Sequence, residues 1–157
     1  MSIIIDPAKT LVSIEILYLE EEKRHGNTVF SFIRSKEELD QYVSDGYSPD
    51  STDPSKKIKS LKTIWKRLNW KEHNSIIAKS MLQAVSPTGQ ASSRLDPIIY
   101  RDQKLKTCLK KWDLKDDEGK DVELNDMIVD NLAPDVAQEL LDAFERVTEM
   151  TSADLKK

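Results

Sequence analysis

From Thr10 to Glu20 the chain is rich in β-branched, aliphatic and aromatic residues, and Val12, Ile14, Ile16 and Tyr18 fall on one face of an extended segment. The pattern predicts a strand. A polar stretch through Glu22, His25 and Asn27 separates it from a second apolar run, Thr28 to Ile33, so a hairpin turning near Gly26-Asn27 is expected. Ser35 followed three residues later by Glu38 has the spacing of a capping box, and the short helix it opens presents Leu39, Tyr42 and Val43 before Gly46 stops it. Residues 46–57 combine Pro49 and Pro54 with Ser, Thr and Asp and carry no hydrophobic period, which reads as a surface loop and a candidate linker.

Beyond that loop the periods compete. In Ile58 to Leu68 the residues Leu61, Thr63 and Trp65 alternate with Lys62, Ile64 and Lys66 as in a half-solvated strand, yet Leu61, Ile64, Trp65 and Leu68 also fit helical spacing. The alternation favours a third strand. Asn69 with Glu72 resembles a second N-cap, and His73, Ile77, Ser80, Met81 and Ala84 share a face of the helix that follows, which is expected to end by Pro87. Ser86 to Ser93 reads as a small polar loop. Asp96-Pro97 then supplies an N-cap and N1 for a helix whose stripe, Ile98, Asp102, Leu105, Leu109 and Trp112, carries it to residue 112. An acidic turn from Asp113 to Asp121, a short helix from Met127 to Leu132, and a long closing helix from Pro134 with Val136, Leu140, Leu141, Phe144 and Val147 on its stripe complete the reading; a fraying tail is expected from Thr151.

The expectation is therefore one α+β domain over residues 1–157, helix-dominated, with a small antiparallel N-terminal sheet packed on a C-terminal helical bundle. Its parts are a hairpin and helix (1–45), a loop (46–57), a strand and helical part (58–150) and a tail (151–157). A chain of 157 residues can bury a core without staples. No apolar run approaches the ~20 residues that a bilayer-spanning helix requires, and the N-terminus has neither a basic nor a long apolar targeting region. These features predict a protein that stays in the compartment where it is made. Cys108 is the single cysteine, so neither an intramolecular disulfide nor a cysteine-based zinc site can be assembled.

The net charge of −4 hides an uneven distribution: residues 1–54 sum to −6, residues 55–112 to +11 and residues 113–157 to −9. A basic middle is flanked by acidic ends. Lys56, Lys57, Lys59, Lys62, Lys66, Arg67 and Lys71, with Trp65 and Trp70 interleaved, have the composition of a single-strand nucleic-acid groove, but the acidic total and the acidic flanks argue against that use. An acidic protein partner, or the chain's own acidic C-terminal part, satisfies the same charges.

Catalytic chemistry finds little footing. Nucleophilic catalysis needs a base held by a third group, yet of the two histidines His25 sits in a charged turn and His73 reads as a half-buried structural residue. Cys108 beside Leu109 reads as buried and inert. The four glycines are isolated, so no phosphate-binding loop can be written, and setting Gly119 at the sixth position of a calcium loop puts Leu114 first and Asn125 twelfth, where acidic ligands are required. No enzyme, cofactor or metal is expected. The three tryptophans read as core, or as interface where exposed.

Leu109-Lys110-Lys111-Trp112-Asp113-Leu114, followed by Asp117-Glu118-Gly119-Lys120, Asn131-Leu132-Ala133-Pro134-Asp135-Val136-Ala137 and Leu140-Leu141, resembles the tail assembly chaperones of tailed bacteriophages. Asn69-Trp70-Lys71-Glu72 and Tyr100-Arg101 fit the same layout, so the resemblance covers about the last ninety residues. It implies a non-enzymatic role in the host cytoplasm: binding the long helical tape measure protein and keeping it soluble until tail tube subunits polymerise around it. Such a role needs an apolar groove between helices. Ile77, Met81, Leu105, Leu109, Leu140 and Phe144 could line one, or equally a private core, with Trp65 and Trp70 as further contact candidates. Homo-oligomerisation on the client would fit the opposite charges of residues 55–112 and 113–157. A structural virion or tail-associated component is the alternative, and a nucleic-acid-binding accessory protein a second.

Overall fold

The computed structural model describes residues 10–23 and 26–154, with the side chains of 149–154 excepted. His25 and the last three residues of the tail lie outside the described residues. Secondary structure is mixed, 39% helical and 32% strand, with a four-stranded antiparallel sheet, a two-stranded sheet and five helices among the described residues. Helix does not dominate. The expected small sheet packed on a helical bundle is therefore incorrect, and the error arises in two places where helical spacing coincides with strand formation.

The first is the stretch after the second helix. That helix, α2 (Trp70–Lys79), follows α1 (Lys36–Ser44) and ends at Ser80, whose hydroxyl donates to the Ile76 carbonyl at 2.6 Å. Met81 and Ala84, which helical spacing placed on its face, belong instead to strand β4 (Met81–Val85), paired antiparallel with β5 (Ala91–Leu95). The connecting turn is closed by Ser86 N–H donating to Gln90 at 2.9 Å, and Gly89 supplies the left-handed residue, φ +83°, that the turn requires. The second error concerns α3 (Pro97–Cys108), which stops at Cys108, with Leu109–Trp112 forming strand β6. A backbone partner decides this: β6 lies beside β3 (Lys59–Lys66) in the sheet, and the Asp113 amide just beyond it donates to the Lys62 carbonyl at 3.0 Å.

Elsewhere local signals and structure agree. Strand β1 (Leu11–Glu22) pairs with β2 (Thr28–Ile33) in a hairpin with Leu17 opposite Ile33 and Glu22 opposite Thr28. The sheet order is β2-β1-β3-β6. The ambiguous segment is indeed a strand, with Leu61, Thr63 and Trp65 buried on one face. The short helix α4 (Asp126–Asp130) precedes α5 (Pro134–Asp154), which runs on through residues expected to fray.

The chain forms two compact units, residues 1–12 with 64–110 and residues 13–63 with 111–157. The first unit contains α2, α3 and the β4–β5 ribbon, and buries Trp65, Ile76, Leu105, Cys108 and Leu109. The second contains the β1–β2 hairpin, most of the four-stranded sheet, α1, α4 and α5. Its apolar interior includes Ile14, Ile16, Leu61, Leu140 and Phe144, and a separate cluster of Leu19, Ile33 and Ile58 is covered by Leu39, Tyr42 and Tyr47. The 46–57 segment is no linker between these units. It is internal to the second, closed by a bridge between Ser48 and Lys57 and by a one-turn 3-10 helix at Pro54–Lys56 capped by Asp53.

Candidate functional site

In the second unit the register Tyr18↔Phe32 places these two side chains on one face of the hairpin, and the two-residue period of a strand adds Phe30 to the same face. Their ring centroids lie 6.0 to 6.5 Å apart, within the range of favourable aromatic pairs. The three rings form one wall of a cleft of about 200 Å³. The α4–α5 connection and the start of α5 also line it, with Leu132, Val136 and Leu140 contributing, as does Leu114.

The cleft's shape follows from how its edges are tied. The Trp112 indole N–H donates to the Val122 carbonyl at 2.8 Å, and the Asp113 carboxylate accepts from the Lys62 amide at 2.7 Å, which together place Leu114. Asn131 donates its side-chain amide to the Met127 carbonyl at 2.8 Å and so holds the connection before Leu132. On another side of α5, Glu139 accepts from Arg34 through both Nε and Nη2, at 3.0 and 2.8 Å, and from Arg146 at 2.9 Å. Arg34 directly follows β2, so this network ties the hairpin to the helix.

The polar side chains lining the cleft are Tyr18 and Asn131. Burial pushes the Tyr18 hydroxyl above the usual phenol range; Lys59 pulls the other way, and Glu20 and Asp113 add to burial. The hydroxyl thus stays protonated at neutral pH. What this arrangement offers is a mainly apolar recess whose polar lining residues are Tyr18 and Asn131.

The residues singled out from sequence do not assemble into one site. Trp65, Leu105 and Leu109 are core of the first unit, Trp65 with 0% exposure, while Leu140 and Phe144 are core of the second. Ile77 and Met81 are half-buried in the first unit, in α2 and β4. Trp70 is the outlier at 78% exposed. Of the eight, Leu140 alone lines the cleft. The aromatic wall was missed, although Phe-Ser-Phe at residues 30–32 opposite Tyr18 is the alternation that marks it.

The basic run behaves unevenly. Lys59 pairs with Glu20 and Lys66 with Glu72, and the Lys56 ammonium lies 6.0 Å from the centre of the Tyr47 ring. His73 is half-buried, with the Trp70 and Tyr100 rings beside it. Cys108 is fully buried, and burial pushes its thiol up to about 11. In the acidic turn, the Asp116 carboxylate accepts from the amides of Glu118 and Lys120, both at 2.9 Å. Among the described residues no three His, Cys, Asp or Glu side chains gather where they could hold a metal ion, and no helix is long and apolar enough to cross a membrane.

Comparison with protein-family models, with curated proteins and with solved structures gives no match to this chain.

Proposed function

We propose that this protein is non-enzymatic and holds an apolar stretch of another polypeptide in the cleft of its second unit. The client we propose is the tape measure protein of a bacteriophage tail, kept soluble in the host cytoplasm until assembly. The observation that carries the binding role is the cleft's size and lining. Small-molecule sites commonly enclose roughly 300–1,000 Å³. A recess of about 200 Å³ walled by Tyr18, Phe30, Phe32 and Val136 suits one or two side chains of a polypeptide better than a whole ligand. A helical client with Leu or Phe at i and i+4 would present such side chains in a row. The phage client rests on the resemblance of about the last ninety residues to tail assembly chaperones, and the receiving surface proposed is the sheet-and-helix cleft in place of a groove between helices.

Titrating the isotope-labelled full chain with helical segments of a tape measure protein tests the reading by nuclear magnetic resonance. Shifts at Tyr18, Phe30, Phe32 and Val136 are expected, and Phe32→Asp should weaken binding by about tenfold or more, as for a buried anchor contact. Binding that leaves these four resonances unmoved would overturn the site. A very long helical tape measure reading frame immediately downstream of the gene is also expected, and its absence would remove the phage client while leaving the cleft's role intact. Recovery of the protein from purified virions would favour the structural tail component instead.

A further inference from the structure

Dividing the charge by folded unit changes the electrostatic picture that the whole chain presents. Residues 1–12 and 64–110 carry ten Lys and Arg against four Asp and Glu, +6, while residues 13–63 and 111–157 carry 14 against 24, −10. An acidic protein thus contains a compact basic unit.

On that unit, Trp70 opens α2 with 78% of its surface exposed. Its ring rests beside His73, centroids 6.5 Å apart and planes inclined by 33°, and His73 in turn meets the Tyr100 ring edge-on at 6.4 Å. The Lys104 ammonium lies 5.7 Å from the centre of the Tyr100 ring. Lys71 follows Trp70 in the chain, Arg67 lies three residues before it, and Arg101 follows Tyr100. Arg67, Lys71 and Arg101 make no salt bridge among the described residues. The indole stands mostly in solvent, and the helix start is capped by the Asn69 and Glu72 side chains without it.

We propose that this face of the basic unit binds single-stranded nucleic acid. A base stacks on the outer face of Trp70, while Arg67, Lys71 and Arg101 meet the adjacent phosphates. Stacking on an exposed aromatic beside a basic track is the sequence-tolerant mode of single-strand binding, because every base has a π-face. An acidic polypeptide would satisfy the cations but leave the exposed indole without a role. A duplex keeps its bases stacked on one another and offers Trp70 no free face. Recognition uses only bases and phosphates, so DNA and RNA strands bind alike.

The test uses the full chain and fluorescein-labelled 15-mers of deoxythymidine and of uridine, read by fluorescence anisotropy at low salt. Both strands should bind within a few-fold of each other. Trp70→Ala should weaken binding by about tenfold or more, the loss of one stacked base. Its thermal melt should match that of the unsubstituted protein, because the side chain is exposed. Lys71→Ala combined with Arg101→Ala should flatten the plot of log affinity against log salt by about one unit or more. Absence of binding at low salt, full affinity in Trp70→Ala, preference for duplex, or displacement of the strand by an equal residue concentration of polyglutamate would each overturn the proposal. The last outcome would assign the face to an acidic protein partner.

Discussion

Glu139 is 2% exposed, yet it accepts hydrogen bonds from two guanidinium groups that are themselves about half exposed. Burial by itself would raise its pKa; Arg34 and Arg146 outweigh burial and hold the carboxyl below the usual range. Its contribution to stability is therefore complete above the ordinary glutamate value of about 4.3, and drains away as pH falls through the depressed folded value. Glu139→Gln should cost about 1–3 kcal/mol in urea denaturation at pH 7, the charge-assisted bonds being lost while both arginines regain water. Below pH 4 the variant should lose less further stability than the parent. None of this was visible in the sequence, where Glu139 is one of 28 acidic residues and Arg34 stands 105 positions away. Trp65 and Trp70 show the same limit: similar neighbours in the chain, but one wholly enclosed and the other nearly bare.

At the scale of elements, capping is local chemistry and was largely legible. Asn69 and Glu72 form the reciprocal box, the Asn69 side chain accepting from the Glu72 amide at 2.8 Å and the Glu72 carboxylate from the Asn69 amide at 3.3 Å. Ser35 caps α1 in the same manner, but Glu38 accepts from the amide of Arg34, one residue before the cap. Asn69→Ala should therefore destabilise the protein by about 1 kcal/mol, measurable as a lower denaturation midpoint with an unchanged slope. Strand β6 and the β4–β5 ribbon were not legible, because Leu-Lys-Lys-Trp and Met-Leu-Gln-Ala-Val satisfy either period. Pairing partners elsewhere in the chain decide between them: β3 for the first, and a strand built from Ala-Ser-Ser-Arg-Leu for the second. That second strand is exposed along its whole length and gives no hydrophobic alternation to detect.

For the whole molecule, the net charge of −4 resolves into +6 and −10 on two compact units. Local fields act over about a Debye length, roughly 10 Å at 0.1 M salt, so a charged surface senses the nearer unit more than the total. The protein should therefore be retained on a cation exchanger at pH 7 and about 0.1 M ionic strength despite its acidic pI, and Lys71→Glu with Arg101→Glu should abolish that retention. Signals carried by neighbouring residues were settled by the sequence alone: the first hairpin, the caps at Ser35 and Asn69, and the helix starts at Pro97 and Pro134. Tertiary structure alone decided what depends on residues distant in the chain: which strands pair, which tryptophan is enclosed, how the charge divides, and that Tyr18, Phe30 and Phe32 line one cleft with Leu132 and Val136. The reason is one of range. A cap or a turn is complete within a few bonds of the backbone, whereas burial and pairing depend on where the rest of the chain arrives.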